Sequence, residues 1–256
     1  MKSIRERALA GDVLAGTFCN LGSSLTVEIA GRAGFDWILI DLEHGAGDFD
    51  CLVPQLQAAG ATPAAPIVRI AWNEATRFKR VLDLGASGIM VPHVSSTADA
   101  RLAAASMRYP PHGIRGAAAM NRACGFGFEF DEYFRVANDL LLTVVMVETA
   151  EAIDNLDAIA AVDGVDVLFV GPLDLSISMG IPKQYEQPRF REALDKVATA
   201  CRGAGKAAGI HAARPEQIGE LVDEGFRFLA LGSDGNLVAG GMKNLYSAFD
   251  QYKQVG

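Results

Sequence analysis

Short, nearly continuous apolar runs alternate along this chain with longer stretches of helical periodicity. Trp37-Ile38-Leu39-Ile40 and Leu141-Leu142-Thr143-Val144-Val145-Met146-Val147 are runs of the first kind. Such runs fit parallel strands buried on both faces. The pattern predicts strands at residues 14–18, 36–41, 66–70, 88–91, 141–147, 166–170, 206–210 and 226–231. Helical periodicity occupies residues 25–33, 74–84, 98–107, 150–161, 188–204 and 215–223. Gly34, Gly85, Gly164, Gly205 and Gly225 each stand where a helix ends ahead of the next strand. A glycine there takes the left-handed turn that closes a helix.

Eight such units in 256 residues leave about 32 residues per unit, enough for a parallel crossover. The expected architecture is a (β/α)8 TIM barrel forming a single domain over residues 1–256. A doubly wound open sheet would want Gly-x-Gly-x-x-Gly after its first strand, and the chain has none there. Residues 109–139 break the rhythm, with Tyr109-Pro110-Pro111-His112-Gly113-Ile114-Arg115-Gly116 at their start. A connection of that length is often functional.

Composition narrows the partners. Half the residues are hydrophobic and the net charge is −8, which argues against a nucleic-acid surface. No apolar run approaches the roughly 20 residues that span a bilayer. The polar start Met1-Lys2-Ser3-Ile4-Arg5-Glu6-Arg7 leads into no signal-peptide core, so a cytoplasmic location is expected. Cys19, Cys51, Cys124 and Cys201 have no zinc spacing and are read as reduced thiols. Glycine, at 27 residues, exceeds the average of about 7%, so many tight turns or close backbone approaches are expected.

In a barrel of this kind the chemistry lies at the C-terminal ends of the strands. Those ends carry Asp41-Leu42-Glu43-His44-Gly45, Arg69, Pro92-His93, Glu148, Gly171-Pro172-Leu173-Asp174, His211 and Gly232-Ser233-Asp234-Gly235. Glu148 and Asp174 follow adjacent strands, so both carboxylates can face one point. Two oxygen ligands without thiols favour a hard divalent ion; helix capping is the alternative for either residue alone. Arg69 suits a carboxylate or a developing oxyanion. An imidazole exchanges protons near neutral pH, which makes His44 a candidate base. None of the seven lysines ends a predicted strand, which disfavours a Schiff base.

The chain resembles the HpcH/HpaI family of metal-dependent, pyruvate-type aldolases over residues 12–240. The resemblance is carried by Ala33-Gly34-Phe35-Asp36-Trp37-Ile38-Leu39-Ile40-Asp41 with Glu43-His44, by Pro66-Ile67-Val68-Arg69, and by Leu82-Asp83-Leu84-Gly85-Ala86. Tyr109-Pro110-Pro111 with Arg115-Gly116, Val147-Glu148-Thr149, and Phe169-Val170-Gly171-Pro172 with Asp174-Leu175-Ser176 continue it.

The resemblance implies that Glu148 and Asp174 are metal ligands, His44 the base, and Arg69 the group that holds substrate and stabilises the transition state. It implies that Gly171, Pro172, Leu173 and Asp174 bind the oxo acid, with the Leu173 and Asp174 amides receiving its carboxylate. Asp83 is implied to raise the basicity of the histidine. It falls at the rim opposite the site, so it would reach His44 only from a neighbouring subunit. The implied cofactor is Mg²⁺, Mn²⁺ or Co²⁺, with no organic cofactor. The implied assembly is a homohexamer, a trimer of dimers that exchange their last helix, here supplied by residues 237–252.

Two positions depart from the family pattern. Met146 replaces a glutamine that contacts substrate, and His211 stands where apolar residues are common, at the end facing the aldehyde. The expected reaction is reversible cleavage of a 4-hydroxy-2-oxo acid to pyruvate (or hydroxypyruvate) and an aldehyde. The alternatives are oxaloacetate decarboxylation, acyl-CoA cleavage, and a non-catalytic barrel that binds an oxo acid. On this reading both His44→Ala and Arg69→Ala lose kcat while the protein stays folded.

Overall fold

The computed structural model describes residues 2–212 and 214–253. It is a closed barrel of eight parallel strands in sequence order, β1 (Leu14–Cys19), β2 (Trp37–Asp41), β3 (Ala65–Arg69), β4 (Gly88–Val91), β5 (Leu142–Val147), β6 (Val167–Val170), β7 (Ala207–Ala212) and β8 (Phe226–Ser233). Each expected strand forms, with ends within about two residues of those read from the pattern, ordinary boundary slack. Gly34, Gly85, Gly164, Gly205 and Gly225 all take positive φ, as the helix-stop signal requires.

Alternation along the strands divides the core in two. Leu14, Trp37, Leu39, Ile67, Met90, Val144, Phe169 and Phe228 point into the barrel. Ile38, Ile40, Val68, Ile89, Val145, Leu168 and Ile210 point out, under the helices. This period of two makes each strand apolar on both faces. Inside the barrel, Trp37 stacks on Phe228 at 4.3 Å and meets Phe169 edge-on at 6.4 Å. A Cβ on Gly16 would lie 2.0 Å from the Trp37 ring, so glycine there makes room for it.

The outer layer comprises α2 (Ser24–Ala33), α3 (Phe49–Gly60), α4 (Ala75–Asp83), α5 (Thr97–Met107), α6 (Phe130–Leu140), α7 (Ala150–Asp154), α8 (Leu156–Ala160), α9 (Pro172–Ser178), α10 (Pro188–Ala204), α11 (Ile218–Asp223) and α12 (Asp234–Ser247). At the N-terminal end of the chain, α1 (Ile4–Leu9) starts from a Ser3–Glu6 capping box and inserts Ile4 and Ala8 into the inner cluster. Arg5–Asp166 at 3.0 Å and Arg7–Asp36 at 2.8 Å fasten α1 to the strand starts.

The structure adds to and corrects the sequence reading. α1 and α3 were not among the expected helices; α3 carries Pro54 in its interior, and Asp48 caps its start. The helix expected over residues 150–161 is two short helices meeting at Asn155. Residues 215–223 begin as a 3-10 turn, Pro215–Gln217, before α11.

Residues 109–139 hold ordered structure, a 3-10 turn (Arg122–Gly127) and α6. They close over Arg115, whose guanidinium lies over the Tyr109 ring at 4.4 Å, donates to the Tyr133 hydroxyl at 3.2 Å and pairs with Asp83 at 2.9 Å. All four cysteines are free, and burial pushes the Cys19 and Cys201 thiols up to about 12. Among the described residues no helix is long and apolar enough to cross a membrane.

Candidate functional site

The same alternation that fills the barrel delivers the polar residues to its C-terminal mouth. Trp37, Leu39 and Asp41 share the inward face of β2, as Ile67 and Arg69 share that of β3. Leu142, Val144 and Met146 lead inward along β5 to Glu148, and Ala207 and Gly209 lead along β7 to His211. Phe18, Arg69, Met146, Gly171, Asp174 and His211 line one cleft of about 280 Å³.

Arg69 is the most constrained of them. Its Nε and Nη2 donate to Asp41 at 2.9 and 2.7 Å, and its Nη1 lies 3.2 Å from Glu43. Phe18 stacks beneath it, 5.2 Å from ring centre to guanidinium carbon. Burial opposes the Asp41 charge, but the Arg69 hydrogen bonds and charge, with the Glu43 and His44 amides, hold its carboxyl below the usual range. Burial likewise opposes the Arg69 charge, and Asp41, Glu43 and Glu148 more than offset it. This is a fork-to-fork pair, which fixes both position and plane.

Glu148 has the opposite setting. Burial raises its carboxyl above the usual range, and the nearby charges of Glu43 and Asp174 add to that. The His93 amide, donating to Oε1 at 2.7 Å, and the His93 ring work against the shift. His93 reaches this position with φ of 53°, in the left-handed region. Among the described residues no lysine or arginine ion-pairs with Glu148 or Asp174. A Cβ on Gly171 would lie 3.0 Å from Glu148 Oε2.

A buried carboxylate close enough to feel a second one, with the His93 ring at 3.6 Å but no lysine or arginine paired to it among the described residues, is a donor set for a cation. Among the described residues no cluster of three or more His, Cys, Asp and Glu closes on a metal. The residues present fit an open site, in which two carboxylates bind and water or substrate completes the shell. Asp174 lies in the first turn of α9, whose Leu173 and Asp174 amides precede the first intrahelical bond, from Leu175 to Gly171.

The other expected residues fall into two groups. His211 sits within β7, which runs further than read from the pattern, and its ring meets Phe18 edge-on at 5.5 Å. His44 stands at the mouth with its side chain 72% exposed, near Glu43. Asp83 is not brought to His44: it ends α4 at the other rim and pairs with Arg115.

Three contributions escaped the sequence reading: Asp41 as the partner of Arg69, Glu43 as its second anion, and the His93 amide on Glu148. The first was accessible, because Asp41 and Arg69 end consecutive strands at the same inward parity. The other two depend on loop turns. The cleft wall formed by Tyr185, Phe190, Leu194 and Leu221 was also unread.

Comparison with known proteins places the chain among relatives of the same fold. Residues 14–240 match the family described as HpcH/HpaI aldolase/citrate lyase. The 4-hydroxy-2-oxo-heptane-1,7-dioate aldolase of Salmonella typhimurium is 38% identical over 257 aligned positions, covering 100% of this chain and 97% of that protein. The crystal structure of an HpcH/HpaI aldolase/citrate lyase family protein from Burkholderia cenocepacia superposes with a TM-score of 0.92 at 34% identity, over 97% of this chain and 99% of that one. The citrate synthase SbnG superposes with a TM-score of 0.87 at 27% identity, over 98% of each chain.

Proposed function

The chain belongs to the HpcH/HpaI aldolase/citrate lyase family and is a carbon–carbon lyase, and on that premise we propose that it is a metal-dependent aldolase. Its reaction is the reversible cleavage of a 4-hydroxy-2-oxo acid to pyruvate (or hydroxypyruvate) and an aldehyde. The observation that carries this reading is a Glu148–Asp174 carboxylate set with no lysine or arginine partner among the described residues, beside an Arg69 held in fixed orientation by Asp41.

Glu148 and Asp174 would hold the divalent ion (Mg²⁺, Mn²⁺ or Co²⁺), which when bound supplies Lewis-acid polarisation of the 2-oxo group. The Leu173 and Asp174 amides receive the substrate carboxylate, as the first turn of a helix is suited to do. Gly171, lacking a Cβ, lets substrate and Glu148 approach together. In cleavage His44, through water, takes the proton of the C4 hydroxyl. The C3–C4 bond breaks, its electron pair passes to C3 and into the enolate, the C4 carbonyl forms, and a proton returned through water to C3 completes pyruvate. Arg69 stabilises the charge that develops on the C2 oxygen, already oriented by Asp41 and so needing no rearrangement. In synthesis the same steps run backwards.

His44 is open to solvent in one chain, and Asp83 faces away from it. A second copy of the chain would supply Asp83 to the His44 of its neighbour. Leu237, Val238, Met242, Leu245 and Tyr246 of α12 are exposed, the surface that exchange of this helix between subunits would cover.

The neighbour named a citrate synthase supports a second reading, carbon–carbon chemistry on citrate or oxaloacetate at the same carboxylates. Product analysis separates the two. Pyruvate and an aldehyde from a 4-hydroxy-2-oxo acid are expected, and exclusive turnover of oxaloacetate or citrate would replace the aldolase reading.

A further inference from the structure

Beyond Gly171 and Asp174, the cleft has an apolar wall drawn from β1, β6, β7, α10 and α11: Phe18, Phe169, Phe190, Leu194, Ile210 and Leu221. Tyr185, Arg191 and Gln217 add polar groups on the helical side, and the His211 imidazole adds one on the strand side. His211 faces inward from β7, with its ring against Phe18, and Phe18 in turn lies under the Arg69 guanidinium. A substrate chain leaving the reacting carbon beside Arg69 and running toward β7 therefore passes His211. Resting on the aldolase reading, we propose that His211 is a specificity-determining residue that selects an uncharged, hydroxyl-bearing aldehyde over apolar and carboxylate-bearing ones.

Burial, with the Arg69 charge, lowers the affinity of the His211 ring for a second proton, against the pull of the Gly232 and His211 backbone. A neutral imidazole has one N–H and one acceptor nitrogen. The nitrogen that carries no hydrogen can accept from a hydroxyl donor. The aldehyde hydroxyl then replaces water that an alkyl chain would expel without compensation.

The charges on this wall point the same way. The guanidiniums that line the cleft are those of Arg69 and Arg191. Arg69 is held by Asp41 and Glu43, and Arg191 by Glu220 and Glu224. An aldehyde with a distal carboxylate would enter this wall without an unpaired arginine among the described residues to receive it.

The test uses the Mn²⁺-loaded enzyme with pyruvate as donor and three acceptors: glycolaldehyde, its apolar isostere propanal, and succinic semialdehyde. The quantity read is the ratio of kcat/KM values for glycolaldehyde and propanal, compared between wild type and His211 variants. This comparison cancels the intrinsic reactivities of the aldehydes. We expect a wild-type ratio of at least about 10, as for a site built to hydrogen-bond a hydroxyl, with succinic semialdehyde the poorest acceptor. His211→Leu should lower the ratio toward that of the uncatalysed reactants, and His211→Asn should keep most of it. His211→Phe carries the same test if His211→Leu does not fold by circular dichroism.

An unchanged ratio in the apolar variants, or a preference of the wild type for succinic semialdehyde, would overturn the inference. Exchange of the pyruvate methyl protons for deuterium needs no aldehyde and reads the aldolase chemistry separately. Exchange without acceptor discrimination overturns the role of His211 alone. Neither exchange nor aldol product overturns the aldolase reading and this inference together.

Discussion

Asp41 and Arg69 face one another across the β2–β3 register and close a two-point contact, Nε to Oδ1 at 2.9 Å and Nη2 to Oδ2 at 2.7 Å. Both side chains are buried, so this pair supports the fold as well as the site. Removing one member of a buried ion pair leaves the other unpaired, at a cost of about 3–5 kcal/mol. Arg69→Ala is therefore expected to lose stability along with kcat, a cost added to the expectation from sequence that it stays folded. Arg69→Lys keeps the charge but loses the fork. It should retain more of the melting temperature while kcat still falls by roughly 10²-fold or more. Thermal melts alongside kinetics check this, and near-wild-type kcat in Arg69→Lys would remove the oriented guanidinium from the mechanism.

Glu148 predicts a pH-dependent stability with a definite sign. Its folded-state carboxyl is raised by burial, so the folded protein holds that proton more tightly than the unfolded chain. The penalty for ionising it is absent below the ordinary Glu value of about 4.3 and grows as pH rises through the folded value. Glu148→Gln should melt higher than metal-free wild type at pH 8, with the gain fading toward pH 4. Saturating divalent ion should reverse the order, because ion at about 100 times its Kd adds roughly 2.7 kcal/mol to the wild type alone. A variant that melts lower than metal-free wild type at pH 8 would contradict a carboxyl raised by burial.

Gly171 has a spatial rather than a conformational reason to be glycine. Its φ is −93°, open to any residue, but a Cβ would lie 3.0 Å from Glu148 Oε2. Gly171→Ala is expected to displace that oxygen and weaken divalent-ion binding by about 10-fold or more, as loss of a well-placed supporting contact does. Mn²⁺ titration followed by electron paramagnetic resonance measures it directly. Unaltered affinity would separate Glu148 from the ion.

His44 and Asp83 should part company in stability. His44 is exposed, so His44→Ala is expected to lower kcat by roughly 10²–10⁴-fold with little change in melting. Asp83 partners Arg115, whose side chain has no exposed surface and whose Nε lacks a hydrogen-bond partner. Asp83→Ala should therefore destabilise the protein, by about 3–5 kcal/mol where the arginine is left uncompensated. Chemical denaturation reads this difference, and an unchanged midpoint in Asp83→Ala would contradict the Arg115 role.

The barrel was legible because its signals are local and repeat. Each strand is a compact apolar run, and glycines such as Gly34 and Gly205 mark the helix ends by the left-handed φ they take. The positions of Arg69, Glu148, Asp174 and His211 at the mouth followed from strand ends alone. What was not legible depends on closure of the barrel. The grip of Asp41 on Arg69 spans two βα units, the His93 amide meets Glu148 through a left-handed turn, and Arg191 is neutralised by Glu220 and Glu224 from another element. α3 was hidden by Pro54, which reads as a helix breaker, and α6 by the turn residues that precede it.

Pyruvate release from 4-hydroxy-2-oxo acids, followed through a coupled dehydrogenase with and without chelator, tests the proposed activity most directly. The expected result is release with at least one such acid, abolished by chelation and restored by Mg²⁺, Mn²⁺ or Co²⁺, but not restored in Glu148→Gln. Release that survives complete removal of divalent ions, or no release across the panel from folded, ion-loaded protein, would contradict it.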